Sequence, residues 1–195
     1  MVVSGSTNLS SNKYDLINFN IHQNAESKVK RINQNGQIQI YQSSYRGSYS
    51  NIIRDCIRNA ALGRKVLLVQ LMKGGVKQGV FNPISLCDNL LWIRSSESYD
   101  QYDSKSLSSD DNIKNSIKNA TIELWEFCKK QLISGEQDQV ILDEIFRAIE
   151  LGMIHEDDLI STLEDRFISG DVILTGTKIP KKFLLMADQV TELRS

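Results

Sequence analysis

From residue 37 to the end of the chain, apolar positions recur in blocks whose period switches between that of a strand and that of a helix. Residues 37–41 alternate apolar and polar side chains, as a short strand does. Residues 49–62 then place Ile52, Ile53, Cys56, Ile57, Ala60 and Ala61 at helical spacing, with Gly63 as the stop. The run VLLVQL at 66–71 is apolar on both of its faces, which predicts a strand covered from both sides, as in a parallel sheet. A further short strand is expected at 90–93 (LLWI). Ile113, Ile117, Ala120, Leu124, Cys128 and Leu132 recur every three or four positions and predict a long helix with Trp125 at the edge of its apolar face. Residues 139–145 (QVILDEI) read as the next buried strand, running into a helix with Phe146, Ile149 and Leu151 that ends near Gly152. Residues 156–164 predict a helix with Leu159, Ile160 and Leu163 inward, and DVILTG at 171–176 another buried strand. Pro180 opens a short helix through Leu185, and QVTELR closes the chain as a last strand.

Strands that alternate with helices, each strand apolar almost throughout, predict a three-layer α/β domain with a mainly parallel sheet. At 195 residues the chain is long enough for one such domain, placed at residues 36–195. Residues 1–35 are rich in Ser, Asn and Gln and are expected to form a flexible or irregular segment, in which 15–19 (DLINF) has the pattern of a short docking helix. The stretch RSSESYDQYDSKSLSSDD at 94–111 is a surface loop by composition.

A formal net charge of -1 offers no basic footprint, so no nucleic-acid partner is expected. Without an apolar run of membrane-spanning length or a basic, apolar leader, the sequence predicts no membrane partner and a cytoplasmic location. The three cysteines, Cys56, Cys87 and Cys128, are odd in number and widely spaced; they suggest neither a disulfide framework nor a zinc site and read as buried thiols. His22 lies in a polar segment, and His155 with Glu156, Asp157 and Asp158 reads as a solvated helix start, so neither histidine suggests a metal ligand.

Two places in the pattern carry chemistry. VILDEI sets Asp143 and Glu144 just past the apolar run of a buried strand, at the carboxyl end where open α/β sheets bind ligands. Carboxylates there hold Mg²⁺, a hard cation that prefers oxygen; equally, they cap the following helix, because negative charge is favoured at a helix N-terminus. The second place is the turn between the first strand and first helix, Ser43-Ser44-Tyr45-Arg46-Gly47-Ser48-Tyr49-Ser50. A phosphate loop G-x-x-x-x-G-K-[ST] belongs at such a turn, where glycines let backbone N–H groups converge on phosphate, the lysine adds charge and the hydroxyl binds Mg²⁺. Here Gly47 is the remaining glycine, Ser48 stands at the lysine position and Tyr49 at the hydroxyl position. A phenol cannot sit where a short hydroxyl reaches a metal, and Ser50 is one place too late. Arg46 offers a charged fork, the helix N-terminus offers N–H groups, and Lys73 in QLMKGG turns either to phosphate or to solvent.

In this order and spacing the segments resemble the ATP:corrinoid adenosyltransferase family (cob(I)alamin or cob(I)yrinic acid a,c-diamide adenosyltransferase). The resemblance covers about residues 38–194 and rests on GRKVLLVQLMKGG, Trp125 in the long helix, VILDEI followed by AIELGMI, DVILTG, Pro180 and ADQVTEL. It implies a P-loop-NTPase-like domain and an enzyme in which ATP lies across the phosphate loop. A Co(I) corrinoid attacks the 5′ carbon of the ribose, and triphosphate leaves. ATP and Mg²⁺ are the implied cofactors, a corrinoid the substrate, and a homodimer an implied assembly. By position, Asp143 and Glu144 belong to the Mg²⁺ and phosphate side, and Trp92 matches the second aromatic of a family motif F-x-W beside the corrinoid. The sequence departs from the family at Leu90 (the first aromatic of that motif), at Thr177 (an Arg) and at Phe146 (an Asn), and stops after T-E-x-R, short of the family's last segment.

Two functions follow. One is a divergent adenosyltransferase that uses Arg46, Lys73 and the helix N-terminus in place of the lost loop. The other is a non-catalytic nucleotide-, corrinoid- or protein-binding module on the same fold, with Tyr45 and Tyr49 filling the phosphate cavity. In the latter, Tyr45, Arg46 and Tyr49 either form a protein contact, for which such residues are suited, or pack over the sheet edge.

Overall fold

The computed structural model describes residues 35–45, 49–74, 77–97 and 111–193. The expected irregular segment at 1–35 therefore lies outside the described residues except for Asn35, as do Arg46, Gly47 and Ser48 of the first turn and most of the expected surface loop.

Twelve elements follow in the order β1 (Ile38–Ser43), α1 (Ser50–Ala61), β2 (Val66–Gln70), β3 (Ile84–Leu86), β4 (Leu90–Arg94), α2 (Asp111–Ser134), β5 (Gln139–Asp143), α3 (Ile145–Glu150), α4 (Glu156–Glu164), β6 (Asp171–Gly176), α5 (Lys181–Met186) and β7 (Gln189–Leu193). The strands form one seven-stranded sheet in the order β3-β4-β2-β5-β6-β1-β7. All neighbours are parallel except β3, which pairs antiparallel with β4. The α/β, mainly parallel architecture expected from the sequence is the one observed.

The direction of each crossover decides which face each helix covers. The β1 to β2 connection runs one way across the sheet, and the connections from β4 to β5, β5 to β6 and β6 to β7 run the other way. With right-handed crossovers, α1 must cover one face and α2 to α5 the opposite one. The core divides accordingly. Ile52, Cys56 and Ala60 of α1 pack with Val66, Leu68, Leu90, Ile141 and Ile173. Residues of α2 to α5, among them Leu124, Cys128, Phe146, Leu159 and Phe183, pack with Ile40, Leu67, Val69, Leu142 and Leu174. Adjacent positions of β2, Leu67 and Leu68, thus serve different layers, which is why this strand reads as a continuous apolar run.

Four points differ from expectation. The strand expected at 139–145 stops at Asp143, because Glu144 adopts a left-handed φ of 62° and Ile145 starts α3. β3 lies in a stretch for which the hydrophobic pattern predicts no element; its side chains are half-buried or exposed, so hydropathy carries no trace of the pairing. Cys56 and Cys128 are buried as expected, but Cys87 is exposed, since it sits at φ 53° in the turn between β3 and β4. Trp125 goes further inward than the edge of its helix: it is buried, and its indole N–H donates to Asp158 at 2.6 Å, tying α2 to α4. Among the described residues no helix is long and apolar enough to cross a membrane.

Candidate functional site

The carboxyl ends of β1, β2, β5 and β6 meet where the crossover direction reverses, the crevice in which open α/β sheets place ligands. Register brings polar residues together there: Gln70 at the end of β2 faces Asp143 at the end of β5, and Thr175 of β6 lies beside them. A polar side chain that interrupts a buried strand must find partners, and each of these does. Asp143 Oδ2 accepts from Gln70 Nε2 at 2.8 Å and from Lys73 Nζ at 3.1 Å, while Oδ1 accepts from the Thr175 hydroxyl at 2.9 Å. The Thr175 oxygen accepts the Glu144 backbone N–H at 2.8 Å, and Gln70 Oε1 accepts the Trp92 indole N–H at 3.0 Å. The Arg94 guanidinium stands 4.7 Å over the Trp92 ring. The network therefore runs unbroken from β4 through β2 and β5 to β6. Asp143, Gln70 and Thr175 are all buried, so these hydrogen bonds act where water screens them little.

Glu144 follows in left-handed backbone that a side chain rarely adopts, with a typical cost of about 1–3 kcal/mol. The Thr175 hydroxyl on its N–H and the Arg147 and Ala148 N–H groups on its carbonyl hold it there. Glu144 stands at the N-cap of α3 without a side-chain capping bond, and Asp143 turns back into the sheet, so neither carboxylate is seen capping the helix. Lys73, for which solvent was one expected destination, is instead paired with Asp143.

Tyr49, which the sequence pattern aligns with the hydroxyl position of a phosphate loop, is 1% exposed and forms the N-cap residue of α1. Its ring joins Ile52, Cys56 and Ile173 in the α1-side core. Its hydroxyl is buried without a hydrogen-bond partner among the described residues. Burial, reinforced by the charges of Asp143 and Glu144, pushes the phenol up to about 12; the Gly176 and Ser43 backbones oppose this without reaching hydrogen-bond geometry. Because the folded-state value lies above the ordinary 10, the neutral phenol's contribution to stability is complete below pH 10 and is lost as pH rises through 12. The ultraviolet difference between the native protein and its Tyr49→Phe variant should accordingly show no tyrosinate at pH 10, and a signal from Tyr49 at that pH would show that the ring is solvated. Burial likewise pushes the Cys56 thiol up to about 12 and raises that of Cys128, which leaves both unreactive.

Of the other residues singled out in the sequence, Ser43 is buried at the end of β1, Ser44 and Tyr45 are exposed, and Ser50 is the exposed first residue of α1. Arg46, Gly47 and Ser48 lie outside the described residues. Trp92 reaches Asp143 only through Gln70. Leu90, in place of the first aromatic, is buried in the α1-side core. Gln70, Thr175 and Arg94 escaped the sequence reading, although a polar residue within VLLVQL and another within DVILTG were the available signals.

Mg²⁺ needs near-octahedral oxygen coordination. Both Asp143 oxygens already accept hydrogen bonds, one from a cation, and Tyr49 fills the place of the hydroxyl ligand. Among the described residues no group of three or more His, Cys, Asp or Glu could hold a metal ion. Among the described residues, then, the donor set does not fit Mg²⁺.

A family model described as ATP:corrinoid adenosyltransferase BtuR/CobO/CobP matches residues 34–195. The corrinoid adenosyltransferases of Escherichia coli strains K12 and O6:H1 (CFT073) are each 24% identical to this chain over 187 residues, which cover 95% of this chain and 91% of theirs. An uncharacterised protein of Nostoc, all2391, is 33% identical over 70 residues, 36% of this chain and 18% of its own length. The chain thus spans less than a fifth of the Nostoc relative and most of those from E. coli.

Proposed function

Because the chain belongs to the ATP:corrinoid adenosyltransferase family, we propose that it is a member whose phosphate end has closed, one that no longer transfers adenosyl from ATP and serves as a corrinoid-binding module. The observation that carries this reading is the burial of Tyr49 at the head of α1. In the family reaction triphosphate is the leaving group, and stabilising its charge is the main electrostatic task. Removing a single preorganised donor from such a site typically costs about 2.7–4 kcal/mol of barrier. Here a ring fills the place of the metal-binding hydroxyl, Ser48 replaces the lysine, and Lys73 is spent on Asp143.

The side left for a ligand is that of β4. Trp92 is only partly buried, and Arg94 above it also lines a cleft of about 200 Å³ with Lys77, Val80, Phe81 and Leu124. Phe81 is 86% exposed, an apolar rim against which the edge of a large, flat ligand gains contact. Incubation with a reduced corrinoid and MgATP should yield no Co–C bond, while a cob(III)alamin should quench tryptophan fluorescence saturably, an effect lost in Trp92→Phe. Turnover to an adenosylated corrinoid would sink the non-catalytic reading; absence of quenching would sink the corrinoid.

A second reading has a specific observation behind it: Lys73 brings a cation to Asp143, on the phosphate side that the family resemblance implies. In that case the protein remains an adenosyltransferase with rebuilt donors. Calorimetry with MgATP separates the two. Micromolar binding supports rebuilt donors, and no heat together with an unchanged melting temperature supports closure.

A further inference from the structure

Resting on the corrinoid-binding reading above, we infer that Arg94 selects the ligand of the β4 side, favouring a corrinoid whose rim carries free carboxylates over one whose rim is fully amidated. A half-buried guanidinium normally ends on a carboxylate or on backbone carbonyls, because a donor taken from water and left unmet costs free energy. Arg94 is half-buried and ends on neither. Among the described residues its side chain makes no hydrogen bond and no ion pair, and its Nε is shut away from solvent. What it does meet is the Trp92 ring, 4.7 Å from the guanidinium carbon to the ring centre. A ring face attracts the charge but has no lone pair to accept an N–H, so the donor fork stays open.

The platform under Arg94 is preset. The Asp143 carboxylate only accepts and the Trp92 indole N–H only donates, so the Gln70 amide between them has a single orientation, NH₂ toward the one and oxygen toward the other. The indole is thereby held by its edge. The Arg94 backbone is pinned as well, since its N–H donates to the Gln78 carbonyl at 2.9 Å. The cleft that Arg94 lines adds Lys77, Asn82 and Ser96 as donors, against one carboxylate, Glu123 of α2, so its two cations outweigh its one anion. Neutral donors such as Asn82 and Ser96 serve an amide as well as an acid. An open guanidinium fork gains most from a carboxylate, which takes two parallel N–H bonds.

The probes are dicyanocobyrinic acid and its fully amidated form, which share one ring and one chromophore, each titrated against the tryptophan fluorescence of the full chain. The chain's net charge of -1 gives the acid no general advantage. The wild type should nevertheless bind the acid about ten- to a hundredfold more tightly than the amide, the gain of one charge-assisted contact. That preference should shrink as salt is raised. In Arg94→Met, which keeps the stem and loses the fork, the two affinities should become equal, while Arg94→Lys should recover part of the preference by returning the charge without the planar fork. Equal wild-type affinities, or a preference for the amide, overturn the inference, and this arm needs no variant to fold. A preference that survives in Arg94→Met overturns it too, because the selecting cation then lies elsewhere. Heat from MgATP that Arg94→Met abolishes assigns the fork to phosphate, with the same result. Quenching by neither corrinoid defeats the corrinoid-binding reading and the inference with it; equal quenching by both defeats the inference alone.

Discussion

Replacing Phe146 by alanine should lower the unfolding free energy by about 3–5 kcal/mol, a large part of the roughly 5–15 kcal/mol by which domains are usually stable. Phe146 stands on the first turn of α3 and is 2% exposed. Its ring meets that of Phe183 of α5 edge-on, with centroids 5.1 Å apart and planes at 66°. Beneath it the end of β6 is Gly176, where any Cβ would come within 2.6 Å of the Phe146 Cβ. Helix α3, helix α5 and strand β6 therefore close around this one side chain. Phe146→Asn, which installs the residue of the family pattern, should cost at least as much as alanine. It removes the same ring and adds a buried amide, and an unpaired buried polar group costs about 1–3 kcal/mol. Denaturant melts of the two variants decide the point. An asparagine variant within about 1 kcal/mol of the wild type, well short of the core-truncation range, would mean that this end of the sheet adapts easily and that the family residue can be restored without loss.

The second large effect is at Tyr49, where ring and hydroxyl should act in opposite directions. Tyr49→Phe keeps the ring and removes a buried hydroxyl that has no partner among the described residues, so it should be neutral or stabilise by about 1 kcal/mol. Tyr49→Thr, which restores the kind of hydroxyl a phosphate loop carries, should destabilise by about 3 kcal/mol or more, because the ring leaves a cavity among Ile52, Cys56 and Ile173. Nor should it recover MgATP binding, since Ser48 still stands where the loop needs its lysine. Thermal melts with and without MgATP read both outcomes. A Tyr49→Phe variant less stable than the wild type by more than about 1 kcal/mol, the worth of a typical hydrogen bond, would mean that the hydroxyl has a working partner, and the closed site would lose its main support.

Much of this molecule was legible before any coordinates. The segments 66–71, 139–143 and 171–176 are apolar at consecutive positions, and a chain can bury such segments only as inner strands of a sheet covered on both faces; β2, β5 and β6 are those strands. The helix at 156–164 was legible because Leu159 and Leu163 repeat at helical spacing behind a run of carboxylates. β3 was not, since nothing but its pairing with β4 makes three half-exposed residues a strand. The end of β5 was not, because the turn at Glu144 depends on a hydroxyl from Thr175, 31 residues further along the chain.

The site divides along the same line. The sequence alone determined the layered α/β plan, the carboxylates at a strand's carboxyl end, and a first turn with Gly47 as its one glycine and Ser48 after it, because each is written in neighbouring residues. Only the tertiary structure decided that Tyr49 turns inward and that Lys73 pairs with Asp143. Such choices depend on which strand ends become neighbours. Gln70 and Asp143 are 73 residues apart in the chain and hydrogen-bonded in the fold, while Thr175, 32 residues beyond Asp143, closes the group from the other side. A buried polar side chain takes the partners that the crossovers bring to it, and no local pattern records them.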